Sequence, residues 1–197
     1  MPKGYLLGCP AWGDKTWVGR LCPKGTKQGE FLERYAQVFD TVEGNTTFYA
    51  LPKKDTVAKW RDTVPDHFRF CFKFPRKITH EKLLKDSDDY VAGFLERVAP
   101  LGAKLGVLML QLPPRFGPRQ LERLDGFLER LPRSDFRFAV ELRHAAFFKG
   151  ADEEAEAAAV LRKHQVDTVL MDARGLHASD APELDERLDL RNERRRV

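Results

Sequence analysis

Glu43 and Asn45 stand two residues apart at the end of a strand-like segment, TVEGN, residues 41–45. Alternate residues of an extended chain point to the same side, so a carboxylate and an amide would project together there. Polar residues also interrupt the later apolar runs near their C-terminal ends, at Lys73, Gln111, Glu141, Arg143 and Asp172. Carboxylates transfer protons and fixed cations bind anions, so this set is typical of acid/base chemistry on an anionic substrate.

These polar residues keep the parity of one strand face wherever a segment is long enough to judge. The inward-facing sets are predicted to be Met109 with Gln111, Ala139 with Glu141 and Arg143, and Leu170 with Asp172. A structural ion-pair network that closes the end of the sheet would give the same pattern. Interruption of five consecutive strands at the same end favours a ligand site.

A basic loop follows the third apolar run. In KFPRKITHEKLL, His80 stands close to Arg76 and Lys77, which suits a phosphate or carboxylate ligand, although a histidine in a loop can also be incidental to a site. Glu43, Glu141 and Asp172 could hold a divalent cation such as Mg²⁺ or Mn²⁺, which prefer oxygen ligands. Lys73 and Arg143 argue against a metal, because they could neutralise the same carboxylates.

The elements that position these residues recur about every 32 residues, with amphipathic helix patterns between them, which predicts repeated βα units. The predicted strands are 5–9, 41–45, 69–74, 105–112, 137–142 and 167–172. Several are continuous apolar runs, as expected for parallel strands. An open doubly wound sheet and a closed (β/α)₈ barrel both fit. The absence of GxGxxG and GxxxxGK[ST] motifs favours the barrel, in which the C-terminal strand ends share one mouth.

Composition indicates an ordinary soluble domain. The chain has 197 residues, of which 42% are hydrophobic and 32% charged. No segment approaches the roughly 20 apolar residues of a membrane span, and the N-terminus lacks the apolar run of a signal peptide, so a cytoplasmic protein is predicted. Three cysteines without CxxC spacing disfavour disulfides and zinc. The formal net charge of +4 permits an anionic ligand without requiring one.

The motifs resemble a known family. GCPAW, VEGNTTFYALP, FRFCFKFPRKITH, LGVLMLQLPPRF, FAVELRH and VLMDARGLH occur in an order typical of the YecE-like proteins, also called domain of unknown function 72. The resemblance covers about residues 4–178. It implies a TIM-barrel-like fold and no established reaction. It also implies that the family's polar pocket is formed here by Glu43, Asn45, Lys73, His80, Gln111, Glu141, Arg143 and Asp172.

Two departures from the family pattern stand out. Gly44 replaces the usual apolar residue and is expected to loosen the second strand. Family members continue through about two more strands and helices, so we expect an incomplete, C-terminally truncated barrel over residues 1–178, with about six of the eight units of a complete barrel. Residues 179–197 form a charged tail whose composition is compatible with disorder. The missing strands could be supplied by a partner or lost through a frameshift or early stop, and open edges would favour association.

The functional hypothesis is a hydrolase acting on a phosphate-containing substrate, which could be a nucleic acid. Glu43, Glu141 and Asp172 are the predicted catalytic residues, and the predicted substrate-binding residues are Asn45, Lys73, His80, Gln111 and Arg143. Two alternatives stay open at this point: a non-catalytic protein that binds a small molecule or nucleic acid in the same pocket, and a truncated, inactive product.

Overall fold

The fold is built on one parallel sheet. A computed structural model describes residues 4–150 and 152–171. Its six strands lie in sequence order, β1 (Gly8–Cys9), β2 (Thr41–Gly44), β3 (Arg69–Lys73), β4 (Leu105–Gln111), β5 (Arg137–Glu141) and β6 (Asp167–Thr168). The α-helices are α1 (Phe31–Ala36), α2 (Thr46–Tyr49), α3 (Lys54–Thr63), α4 (Asp88–Val98), α5 (Leu121–Glu129) and α6 (Asp152–Lys163). The predicted α/β class and parallel order are confirmed.

The sheet is open over the described residues. β1 and β6 are its edges, and each contributes two residues to the ladder, fewer than the segments 5–9 and 167–172 had predicted. The central strands are longer, and β4 pairs with both β3 and β5. Asp172 lies outside the described residues. The structure therefore establishes a sequential parallel sheet but not a closed barrel.

One face of the sheet is covered by the helices and forms the core. The side chains that point to this face are completely buried: Val42, Phe70, Phe72, Leu108, Leu110 and Val140. The rings of Phe70 and Phe72 stack at 5.9 Å between centroids, and Trp60 of α3 stacks on both of them. Dispersion and burial of these rings fix the helices against the sheet.

The other face, here called the open face, carries polar side chains together with small apolar ones. A cavity of about 350 Å³ lies on it, and residues from all six strand regions line the cavity: Gly8, Cys9, Thr41, Glu43, Cys71, Val107, Met109, Ala139 and Val169. Met109 and Ala139 therefore have the predicted parity. The inward parity predicted for Leu170 is wrong, because Val169 lines the cavity and Leu170 is largely exposed.

Gly44 is packed more closely than the sequence suggested. It is the last residue of β2, it is buried, and it pairs in register with Phe72 of β3. A Cβ atom built on Gly44 would lie 2.3 Å from the ring of Phe72. The aromatic ring therefore occupies the space that a side chain at position 44 would need, so the expected loosening of β2 is not seen.

The helices follow the predicted patterns, with differences at their ends. α3 has Lys53 at its N-cap, and Asp55 lies in its first turn, where the carboxylate suits the helix dipole. α4 ends at Val98 and continues as a 3₁₀ segment, and Gly102 within that segment has a positive φ of 54°. None of the helices in the described part of the chain is long and apolar enough to cross a membrane.

Candidate functional site

The first ion pair of the site joins neighbouring strands β2 and β3. The ammonium Nζ of Lys73 lies 2.7 Å from Oε1 of Glu43. The two side chains differ in exposure, at 15% for Lys73 and 37% for Glu43. The register explains the contact, since Glu43 pairs with Cys71 and Lys73 follows two residues later on the same side. Glu43 thus carries an ionised partner while its carboxylate stays accessible.

The second group lies on β4 and β5 and is buried. Gln111 and Glu141 are direct register partners, and Nε2 of Gln111 donates to Oε2 of Glu141 at 2.7 Å. Nε of Arg143 donates to Oε1 of the same carboxylate at 2.5 Å. The Glu141 side chain is only 7% exposed, so these bonds compensate the cost of burying its charge. Each oxygen of the Glu141 carboxylate thus accepts one hydrogen bond, and the predicted catalytic role of Glu141 stays a prediction.

His80 lies beside this second group. It belongs to a π-helical turn, Lys77–Glu81, that follows β3. Its Nδ1 is 2.9 Å from the hydroxyl of Thr79, and its ring meets the ring of Phe48 edge-on at 5.0 Å between centroids. A guanidinium nitrogen of Arg115 donates to the backbone carbonyl of His80. The turn therefore brings an imidazole to the same edge of the sheet as Glu141 and Arg143.

Three guanidinium groups act on the His80 imidazole. The pKa of His80 is lowered from 6.5 to about 4, mainly by partial burial and then by the positive charges of Arg143, Arg115 and Arg76, while Glu141 opposes the shift. The imidazole is therefore neutral at pH 7 and can accept a proton or a hydrogen bond. Three arginines and one carboxylate act on the His80 pKa, so the imidazole lies in a region with an excess of positive charge.

Replacing His80 with asparagine is expected to flatten the pH dependence of stability between pH 4 and pH 6.5. In that window the unfolded chain, with an ordinary histidine pKa, binds more protons than the folded chain. The stability due to neutral His80 is thus complete above pH 6.5 and is lost as the pH falls toward 4. Since His80 is only half-buried, solvent screening limits the effect to about 1 kcal/mol.

Urea unfolding at about pH 4.5 and pH 7 measures this difference. His67→Asn is the control, because the His67 side chain is mostly exposed, and it should keep the wild-type pH dependence. An identical pH dependence in the wild type and in His80→Asn would contradict the assignment.

Another predicted residue, Asn45, contacts the backbone of a neighbouring loop. Nδ2 of Asn45 donates to the carbonyl of Pro10 at 2.9 Å, so this amide ties the loop after β1 to the end of β2. Asp172 lies outside the described residues, and its role stays a prediction. Within residues 4–150 and 152–171, no three His, Cys, Asp or Glu side chains are grouped so that they could hold a metal ion.

The predicted residues therefore fall into two groups, both near the carboxyl ends of the strands. Glu141, Gln111, Arg143 and His80 belong together, with Arg76 and Arg115 beside them. Glu43 and Lys73 form a separate pair on the neighbouring strands, and of the predicted polar residues that the structure describes, only Glu43 lines the open-face cavity. The register links the groups: Lys73 pairs with Met109, two residues before Gln111.

Comparison with known proteins identifies the family. The family model described as "Protein of unknown function DUF72" matches residues 6–194. The chain belongs to the DUF72 family. The match extends beyond residue 178, where the sequence resemblance was expected to end, and so includes most of the segment predicted to be a tail.

Relatives of this DUF72 chain include two curated proteins and several solved structures. It is 45% identical over 173 residues to the UPF0759 protein YecE of Escherichia coli (strain K12), and the same values hold for the protein of E. coli O157:H7. The alignment covers 88% of the chain and 61% of the relative. The chain thus spans about three fifths of the length of the curated relatives it matches.

Solved structures of DUF72 proteins share the fold. A protein of Thermotoga maritima aligns with a TM-score of 0.69 and 28% identity, covering 84% of this chain and 64% of that one. A protein of Enterococcus faecalis aligns with a TM-score of 0.67 and 24% identity, covering 85% and 60%. At 24% identity, the similarity to the E. faecalis protein shows only that the two chains share a fold.

Sequence reasoning missed one arginine of the candidate site. Arg115 lies in the loop PPRF after β4 and was not among the predicted residues. The available signal was its position: the loop directly follows Gln111, as the basic loop of His80 follows Lys73. Loops at the carboxyl ends of neighbouring parallel strands meet, so a cation in the PPRF loop is expected near the basic loop that carries His80.

Proposed function

We propose that the carboxyl edge of this sheet binds the phosphate group of a substrate and that the protein hydrolyses the corresponding ester. The observation that carries the proposal is that Arg115 donates to the His80 carbonyl and that Arg76, Arg115 and Arg143 all lie close enough to the imidazole to lower its pKa. Guanidinium groups match the geometry of phosphate oxygens and stay charged at all relevant pH values. A phosphate ester, including one in a nucleic acid, is the substrate class that fits this chemistry.

The proposed fold context is an incomplete (β/α) barrel with about six of the eight units of a complete one. Sequential parallel strands with helices on one face and a cavity on the other support it. In such a barrel the carboxyl ends of the strands form the active-site mouth, which is where the arginines lie. Since the chain spans about three fifths of its curated relatives, the activity of a full-length relative is part of the proposal.

The residues have distinct proposed roles. Glu141, held by Gln111 and Arg143, orients the Arg143 guanidinium toward the phosphate. Glu43, the more exposed carboxylate, takes a proton from water as the water oxygen bonds to phosphorus. The ester P–O bond then breaks, and the departing oxygen takes a proton from Lys73 or from solvent. Asp172 stays a predicted catalytic residue, and Asn45 a predicted substrate-binding residue.

Arg115→Ala is expected to weaken the binding of inorganic phosphate about fivefold, because one charge-assisted contact of about 1 kcal/mol is lost. Isothermal titration calorimetry measures the affinity, and hydrolysis of p-nitrophenyl phosphate measures turnover. Arg119→Ala is the matched control, since Arg119 is an exposed arginine four residues further along the chain and should bind phosphate as the wild type does. Equal losses in both variants would indicate only a general charge effect and contradict the site.

A second candidate function, a non-catalytic phosphate-binding protein, is favoured by one observation. Both candidate bases already have cationic partners, Lys73 for Glu43 and Arg143 for Glu141. Glu43→Gln distinguishes the two functions. Lost turnover with retained phosphate binding supports hydrolysis, whereas phosphate binding without turnover in the wild type supports the binding protein.

A further inference from the structure

A groove of about 510 Å³ lies next to the proposed phosphate site formed by Arg76, Arg115 and Arg143, here called the arginine site, and three aromatic side chains contribute to its lining. It is bounded by α2, by the turn after β3 and by the start of α4, and it is lined by Phe48, Tyr49, Arg76 and Tyr90 among others. Tyr49 is 79% exposed and Tyr90 is 46% exposed. The volume of the groove falls within the range of about 300–1,000 Å³ that is usual for small-molecule sites. Exposed rings grouped in one groove indicate a surface that binds something flat and apolar.

The charges of the groove favour an uncharged group inside it. Lys77 is paired with Glu81 at 3.0 Å, and both line the groove. Asp89 adds a further carboxylate to the lining, at the α4 side. An anion would therefore be repelled from the α4 end of the groove and attracted to the end that carries Arg76.

Two residues, Phe48 and Arg76, connect the groove with the arginine site. Phe48 lines the groove and also contacts the His80 ring edge-on at 5.0 Å between centroids. Arg76 lines the groove and acts electrostatically on His80. A ligand with a ring in the groove would therefore extend toward the arginines at its other end.

We infer that the groove holds the planar aromatic ring of a phosphate monoester whose phosphate group occupies the arginine site. The inference rests on the proposed function, because it places the phosphate on Arg76, Arg115 and Arg143. It adds the substrate class, a small aromatic phosphate, and assigns the ring to Tyr49 and Tyr90, neither of which belongs to the hydrolytic machinery.

The test compares phenyl phosphate with inorganic phosphate by isothermal titration calorimetry on the full chain. Ring contacts of this kind add modestly to affinity, so phenyl phosphate is expected to bind about twofold to tenfold more tightly than inorganic phosphate. Tyr49→Ala and Tyr90→Ala should reduce that advantage while leaving the affinity for inorganic phosphate unchanged. Tyr5→Ala is the matched control, because Tyr5 is 77% exposed and does not line the groove.

The possible outcomes separate the two proposals. Equal affinity for both compounds, or an advantage that persists in both tyrosine variants, overturns the groove assignment. If inorganic phosphate still binds and still depends on Arg115, the proposed function survives that failure. If neither compound binds the wild-type protein, both proposals fail. All of these variants change exposed side chains, so they are expected to fold, and a thermal unfolding curve for each confirms it.

Discussion

Replacing Gly44 with valine is expected to lower the free energy of unfolding by about 2–3 kcal/mol, at the upper end of the usual cost of overpacking a core. The Cβ of the new residue would lie 2.3 Å from the Phe72 ring, far inside van der Waals contact. That ring is completely buried and stacks against both Trp60 and Phe70, so it has little room to move. Urea unfolding measures the change.

A second substitution tests the cause. Phe72→Leu alone should destabilise the protein, but in the Gly44→Val background it should recover part of the loss, with a coupling of about 1 kcal/mol or more in a double-mutant cycle. Gly13→Val is the control, since no atom lies within 4 Å of a Cβ built on Gly13. Additive losses for the pair would show that the ring does not fill the space beside Gly44.

Glu141→Ala is expected to have the largest combined effect, with a loss of about 3 kcal/mol in stability and at least tenfold in phosphate affinity. The substitution leaves the amide of Gln111 and the guanidinium of Arg143 without the carboxylate that both donate to. Gln111 is buried and cannot find water easily, whereas Arg143 is partly exposed and would move. Stability and affinity therefore fall together.

The controls separate the buried network from a simple loss of charge. Glu141→Gln keeps the shape and one acceptor, so about half of the stability loss is expected. Glu96→Ala removes a carboxylate from an exposed pair with Lys54 and should leave the midpoint of urea unfolding essentially unchanged. Phosphate affinity in Glu141→Ala equal to that of the wild type would contradict the role of Glu141 in orienting Arg143.

The sequence predicted the elements well, because they follow from local patterns. The apolar runs of β3, β4 and β5 and the amphipathic stripes of α4 and α5 are readable residue by residue. The polar residues at the strand ends were predicted from the same alternation, and the pairs Lys73 with Glu43 and Gln111 with Glu141 agree with it. Whether these pairs share one ligand stays a prediction.

The sequence could not predict contacts that depend on the register and on loop conformation. The ring of Phe72 fills the space beside Gly44, and only the pairing of β2 with β3 brings these two residues together. The π-helical turn that presents His80 has no simple sequence pattern, and Arg115 reaches the His80 carbonyl from 35 residues away. The amide of Asn45 was expected to orient a substrate, but one of its donors binds the Pro10 carbonyl.

The unequal lengths of the strands have a consequence for how the molecule opens. Each outer strand is held by a two-residue ladder, whereas β4 has seven residues and is bonded on both sides. Amide protons of β1 and β6 should therefore exchange with solvent through small local fluctuations. Those of β4 should exchange only when the whole domain unfolds. Lys73, Gln111 and Glu141 all belong to the slowly exchanging central strands, so their arrangement should persist while β1 and β6 open locally.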